Sequence, residues 1–361
     1  MKKKMIGRVS AMTVAGVMMF GGMQIPAMAA TGSSVVQFKK VLEMQKAEGA
    51  SVPNVTYTYT IAAGNAIGAT ANSPEVKAGV GTPSISNVTY TKSDAITQNK
   101  VTKNITITFP AGTFTAPGIY RYIITESANT NTDITDVDGN TRYLDVYVVN
   151  DDVNGGYKID ATVFKDTAVT PTFDANTKQP TYGGKNEEIT DAYTTYELSL
   201  DKVVKGSMGN KNQLFDFTIN FHGPANTSFT FGNQQVDLNE EGNGSVDLSL
   251  EDGTAIAEIK GIPSTVTYTV TENLSSLEGY DTTFAIKRGT AASESIAKTS
   301  TSEKVTATSQ TMTKADNAVV VTNTKETVSP TGIALSITPY ALLAGLASAL
   351  GALFFRRKKL S

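Results

Sequence analysis

The amino-acid sequence predicts an all-β protein built as two sandwiches in series. Three observations predict it. Short runs alternate apolar with polar residues, among them "VTYTYTI", "KNITITF", "IYRYIIT", "YLDVYVV", "STVTYTV" and "NAVVVTN", as half-buried antiparallel strands do. Turn clusters separate them: "VDGN", "NGG", "GGKN", "EEGNG" and "EDG". No sustained helical period appears outside the two terminal segments, and the intervening stretch of roughly 300 residues is long enough for two modules. The spacing of elements gives a first module over residues 30–194 and a second over 195–326. They join near Tyr193–Leu198 with almost no linker.

The terminal segments have a different texture. Residues 1–29 begin "MKKK", carry Arg8 ahead of an apolar stretch from Val9 to Phe20, and end in "AMA". That is the pattern of a secretory signal peptide, cleaved after Ala29, and it is excluded from fold reasoning. Residues 327–361 hold an uncharged run, Ile333 to Phe355, followed by Arg356, Arg357, Lys358 and Lys359. A run of that length can cross a bilayer as a helix, and the basic cluster would hold its end in the cytoplasm. A single-pass membrane anchor is the plain reading of this tail. Pro330, Thr331 and Gly332 stand directly before the run. The arrangement resembles the cell-wall sorting signal of Gram-positive surface proteins, which implies cleavage by a sortase between Thr331 and Gly332. Val328 and Ser329 replace the commoner Leu-Pro, as in variant signals read by pilus-specific sortases.

Composition excludes several functions. The chain has no cysteine and one histidine, so disulfides, thiol nucleophiles and thiolate metal sites are unavailable. His222 alone makes neither a catalytic dyad nor a multi-histidine metal site, and reads as a loop residue after a strand. Both terminal segments are basic with no acidic residue, so the region between them is more acidic than the overall net charge of −3. Such a surface does not favour nucleic acid or anionic membranes. No cofactor is implied. Asp133, Asp136 and Asp138 in "TDITDVDGN" could hold calcium, but read more simply as a solvated loop, and no metal site is assigned.

An internal repeat carries the chemistry. Each module opens with a strand interrupted by lysine, "VQFKKVLEM" and "YELSLDKVV"; each has a later strand ending in Thr-Glu, "IYRYIITE" and "VTYTVTE"; each closes on a short carboxyl or amide residue, "EEITDAY" and "VVVTNTK". Alternate strand residues face one side of a sheet. Lys40 shares parity with Val36, Phe38 and Leu42, and Lys202 with Leu198, Leu200 and Val204. Glu126 follows Tyr120, Tyr122 and Ile124, and Glu272 follows Val266, Tyr268 and Val270. Asp191 lies between Ile189 and Tyr193, and Asn323 follows Val319 and Val321. Six polar groups thus take apolar parity in the order Lys, Glu, Asp or Asn, twice.

Two bland explanations remain open: snorkelling side chains on the rims of the strands, and, for the first module, a buried salt bridge. A third is chemical. Burial disfavours charge, so an amine and a carboxylic acid can face each other neutral. A neutral lysine amine is a nucleophile, and a carbonyl held against it by the fold reacts with a large effective molarity. The glutamate would shuttle protons and polarise the carbonyl.

These residues resemble the Ig-like, collagen-adhesin (Cna) B-type domains of Gram-positive pilins. The whole chain is similar to streptococcal shaft (backbone or major) pilins of the T-antigen type. The resemblance rests on "FKKVL", "LSLDKVVKG", both "TE" strands, "VTNTK" and the tail, with "TENLSSLEGY" similar to the family's E-box. It implies Lys–Asp or Lys–Asn isopeptide bonds: Lys40 to Asp191 promoted by Glu126, and Lys202 to Asn323 promoted by Glu272. Asn186, on a nearby loop, is the competing acceptor in the first module. The implied function is the structural subunit of a covalently polymerised pilus on the cell surface, not an enzyme. Its implied partners are identical subunits, a pilus-specific sortase, peptidoglycan or a basal pilin, and a tip adhesin. The alternative is a wall-anchored adhesin that binds a ligand through its own β modules. Polymerisation needs an exposed acceptor lysine distinct from Lys40 and Lys202. Lys165 in "ATVFKD" is a degenerate copy of the family's acceptor motif, with Lys185 and Lys178 as the alternatives.

Overall fold

The computed structural model describes residues 33–327 apart from 47, 254–256, 274–278, 302–303 and 308. The expected signal peptide, the Pro330-Thr331-Gly332 motif, the apolar run 333–355 and the basic tail lie outside the described residues. Among the described residues there is no helix; in particular, none is long and apolar enough to cross a membrane.

The described residues form two compact units. One comprises those up to Gln45 together with Val52–Thr194, and the other comprises Lys46–Ser51 with those from Thr195 onward. A single residue, Thr195, stands between the closing strand Glu188–Thr194 and the opening strand Tyr196–Lys205.

In the first unit, one five-stranded sheet runs in the order Ser84–Ile85, Lys100–Phe109, Ser34–Gln45, Glu188–Thr194 and Ile134–Asp136. A second sheet has the order Tyr157–Lys165, Thr141–Asn150, Gly118–Glu126 and Tyr59–Ala63, with Val76–Ala78 also pairing the Gly118–Glu126 strand. The alternation read from the sequence determines which side chains meet between them. Phe38 from the first sheet stacks on Phe164 and meets Tyr59 edge-on. The run "VTYTYTI" is two strands, because Val55–Tyr57 leaves to pair with Val88–Tyr90 while Tyr59–Ala63 stays with the second sheet.

The second unit repeats the plan. A seven-stranded sheet is ordered Gln234–Asp237, Ser228–Phe231, Ala257–Ile262, Tyr196–Lys205, Asn317–Thr324, Asp281–Arg288 and Glu294–Ser295. The other sheet is ordered Asn243–Leu250, Phe215–His222, Thr267–Asn273, Lys304–Ala307 and Lys298–Ser300, and Gln310–Thr311 also pairs the Thr267–Asn273 strand. Leu198, Leu200, Phe217, Ile219, Val270 and Val321 are among the side chains that fill the space between.

Each unit's opening and closing strands are parallel neighbours. A parallel pair needs a crossover, and here most of the unit supplies it. The opening and closing strands of each unit therefore lie side by side inside one sheet, and because they run the same way the chain enters and leaves the pair at opposite ends. The segment "TDITDVDGN" is not the solvated loop the sequence suggests. Ile134–Asp136 pairs with the closing strand, Asp133 is buried, and Asp138 is tied to Arg142 at 2.7 Å and accepts the Thr190 amide. No group of carboxylates, histidines or cysteines is positioned to hold a metal among the described residues. His222 ends the strand Phe215–His222, exposed and bonded to Asn243.

Candidate functional site: two buried lysine–glutamate–acceptor triads

The six polar groups on apolar parity converge into two buried clusters. In the first unit, Lys40 Nζ donates to Glu126 Oε1 at 2.8 Å and lies 3.0 Å from Asp191 Oδ1. In the second, Glu272 Oε1 lies 2.8 Å from Lys202 Nζ and accepts a 2.8 Å bond from Asn323 Nδ2. Relative exposure is 0 % for Lys40 and Asn323, 2 % for Lys202, 0 % for Glu272, 5 % for Glu126 and 4 % for Asp191. These values exclude rim positions with snorkelling side chains.

Register explains the convergence. Lys40 is opposite Ile189, two residues before Asp191, and Lys202 is opposite Val321, two residues before Asn323. The offset of two keeps lysine and acceptor on the same face of neighbouring parallel strands. Each glutamate descends from the other sheet, on Gly118–Glu126 or Thr267–Asn273. The sandwich is thus required to assemble the triad, and no local segment of sequence can form it.

Burial sets the electrostatics. Desolvation pushes the Glu126 and Glu272 carboxyls up, against the opposing pull of their lysines, and pushes the Lys202 amine down. Both shifts favour the uncharged forms. In each glutamate the second oxygen, Oε2, is buried with no hydrogen-bond partner, an unfavourable place for a full carboxylate charge. The chemistry this allows is attack of a neutral amine on the adjacent carboxyl or amide carbon, with the glutamate moving protons.

The surroundings differ. Lys40 Nζ lies 4.1 Å from the centroid of the Tyr57 ring, and Tyr90 Oη donates to the Lys40 carbonyl at 2.8 Å. The Tyr57 and Tyr59 phenols lie by Asp191 and Glu126, outside hydrogen-bond geometry. Burial pushes all three phenols up, so they stay protonated. Lys202 Nζ instead lies 4.3 Å from the Phe215 ring centroid and 5.7 Å from that of Phe217. The sequence reading missed the tyrosines, although Tyr57 and Tyr59 share a parity that could have placed them inward. Of the two possible acceptors in the first unit, Asp191 meets Lys40. Asn186 instead bonds Asp138 and the Glu188 amide.

Lys165 corrects an expectation. An acceptor for a sortase must be exposed, yet Lys165 is fully buried. Its Nζ lies 2.6 Å from Asp145 Oδ2 and 4.5 Å from the Tyr182 ring centroid, while Arg121 grips Asp145 through two 2.7 Å bonds. The reason is that the chain after Lys165 folds back. Lys185 bridges to Lys165, and Arg121 donates to the Val169 carbonyl. Lys178 and Lys185 are exposed. Arg121 and Asp145 were not anticipated because they lie on the sheet's other face, which alternation alone would assign to solvent.

Comparison with known proteins agrees with this architecture. A family model described as a domain of unknown function, DUF7601, matches residues 196–325. A pilin of Streptococcus pyogenes serotype M1 is 26% identical over 324 residues, covering 86% of each chain. The crystal structure of the major pilin from Streptococcus pyogenes superposes with a TM-score of 0.58 at 21% identity, over 81% of this chain and 99% of that one. The major pilin T3.2 from Streptococcus pyogenes gives a TM-score of 0.56 at 23% identity, with the same coverage. Over most of its described length, this chain has the fold of the streptococcal major pilins.

Proposed function

We propose that this protein is the structural subunit of a covalently polymerised surface pilus, hardened by one intramolecular isopeptide bond in each unit. The observation that carries this reading is the repeated triad: a buried lysine two residues out of register with its acceptor, and a glutamate from the facing sheet on each lysine, which in the second unit also holds the acceptor amide. In the second unit, Lys202 Nζ attacks Asn323 Cγ and forms a C–N bond. The Cγ–Nδ2 bond breaks, and Glu272 passes the amine proton to the departing nitrogen, which leaves as ammonia. In the first unit, Lys40 condenses with Asp191 and water leaves. The bonds join opening and closing strands, where tension along a fibre enters and leaves a unit.

Similarity to pilins supports a surface location and association with further subunits. The Pro330-Thr331-Gly332 motif supports a sortase link from Thr331 to the next subunit, with peptidoglycan or a basal pilin at the fibre's foot. Burial of Lys165 moves the acceptor assignment to Lys185, then Lys178, the two exposed lysines of the returning segment. The test is mass spectrometry of the full chain and of native wall extracts. An intact mass about 35 Da below the sequence mass, with a ladder of covalent multimers whose branched peptide joins Thr331 to Lys185 or Lys178, is expected. An intact mass equal to the sequence mass sinks both intramolecular bonds. A single wall-linked species without multimers supports the anchored-adhesin alternative.

A further inference from the structure

The second triad has a fourth member. Thr282 lies on Asp281–Arg288, the strand paired antiparallel with the closing strand, directly opposite Asn323. Its neighbours Asp281 and Thr283 are exposed while Thr282 is buried at 3 %, so its hydroxyl points into the triad. Thr282 Oγ1 donates to Asn323 Oδ1 at 2.8 Å. Asn323 Nδ2 meanwhile donates to Glu272 Oε1 at 2.8 Å. The two bonds fix the amide in one of its two orientations: carbonyl oxygen toward Thr282, departing nitrogen toward the group that protonates it.

We infer that Thr282 is a catalytic residue of the Lys202–Asn323 condensation, donating a hydrogen bond to the oxygen on which negative charge develops. The inference rests on the isopeptide reading above. When the Lys202 amine attacks Asn323 Cγ, the carbonyl π pair moves onto Oδ1, and the Thr282 hydroxyl is already aimed at that atom. A donor organised before the charge appears needs no rearrangement as it forms. The amine proton goes to Glu272 and then to Nδ2. As the tetrahedral centre collapses, the C=O bond re-forms, the Cγ–Nδ2 bond breaks, and ammonia leaves. Thr282 neither gains nor loses a proton.

The first unit differs at this register. Asp191 is opposite Asp136, which is exposed and has no proton to donate when ionised. A carboxylic acid acceptor also has less need of such a device, because either of its oxygens can become the leaving one, whereas an asparagine amide turned the wrong way presents its oxygen to the glutamate.

The experiment follows formation of the cross-linked Lys202–Asn323 peptide by mass spectrometry in full-length chain made by cell-free translation and sampled over time. Thr282→Val removes the hydroxyl and keeps the shape. It is expected to slow the linkage at least about 10-fold, against the roughly 10²–10³ known for loss of one oxyanion donor. Thr282→Ser is expected to restore the rate, and formation of the Lys40–Asp191 peptide in the same samples is expected to stay unchanged. Protease resistance reports folding; if Thr282→Val does not fold, Thr282→Ser against Thr282→Ala carries the same comparison. Wild-type linkage with an equal rate in the hydroxyl-free variant overturns the role of Thr282. No Lys202–Asn323 peptide in the wild type overturns the isopeptide reading and the role of Thr282 with it.

Discussion

The two units hold the same lysine, the same glutamate and the same two-residue offset, yet they finish the site differently. The first places tyrosines by its lysine and aspartate; the second places phenylalanines by its lysine, with a threonine on the carbonyl oxygen of its asparagine. The shared part is what the proposed condensation requires: an enclosed lysine amine, a proton carrier and a carbonyl carbon. The variable part depends on the acceptor. A carboxyl group has two oxygens and tolerates either orientation, whereas an amide must be turned the right way. The comparison teaches that fold topology supplies the proximity, and that each unit's neighbouring strands supply the finish.

Breaking the triads is expected to have the largest effect. Glu272→Ala should keep the fold, shrink the deficit from the variant's own sequence mass by about 17 Da and leave the first bond in place. Each lost bond removes a constraint on a loop of more than about 100 residues, worth roughly 4–5 kcal/mol by analogy with disulfides. Thermal unfolding and intact mass of Glu272→Ala and Asp191→Ala, measured together, check whether the two units are equivalent in this respect. If Glu272→Ala still loses ammonia, the glutamate is not the proton carrier.

The buried Arg121–Asp145–Lys165 cluster separates the units next. Asp145→Asn leaves two buried cations without their counter-charge and should destabilise the first unit by about 3–5 kcal/mol. Lys165→Met leaves the Arg121–Asp145 pair intact and should cost far less. Denaturant titration of the two variants decides it, and equal costs would show that Lys165 is as necessary to the cluster as Asp145.

Converting one unit's acceptor into the other's sharpens the comparison. Asp191→Asn should still cross-link to Lys40 but release ammonia in place of water, so the total loss falls from about 35 to about 34 Da. Stability should change little, since the bond formed is the same. High-resolution intact mass reads the difference, and a chain that retains one unreacted site would show that the first unit does not accept an amide.

The smallest effect concerns pH. Burial pushes Lys165 down to about 8 from the 10.5 of a free lysine. Between these values the folded state binds fewer protons than the unfolded chain, so stability rises with pH across that window. The contribution is absent below the folded value, where both states are protonated at Lys165 and its burial cost is fully felt. Wild type should therefore gain stability relative to Lys165→Met between about pH 8 and 10.5. Lys202, once its nitrogen is an amide, no longer titrates and adds no such slope. A constant difference between the two proteins across that range would contradict a depressed Lys165.

Much of the first-order architecture was legible before any coordinates. Period-two alternation put Lys40, Glu126, Asp191, Lys202, Glu272 and Asn323 on apolar parity, and all six are buried. The same rule failed where its assumption failed. Alternation sorts residues into two faces, but it cannot say that the far face is also covered. Arg121, Asp145 and Lys165 are buried because a later segment folds back over them. The misread "TDITDVDGN" has the same origin: its strand exists only because the closing strand offers an edge to pair with.

The sequence by itself determined the all-β class, the repeated order of Lys, Glu and Asp or Asn, and the apolar parity of those six residues. These follow from local periodicity and composition, which act within a strand. Only the tertiary structure decided that Lys165 is enclosed, that tyrosines surround Lys40, that Asp191 and not Asn186 meets it, and that Thr282 bonds the Asn323 carbonyl. Each of those depends on which strands become neighbours and in what register. That choice is made by packing between residues far apart in the chain, and a strand's own sequence carries its parity but not its partner.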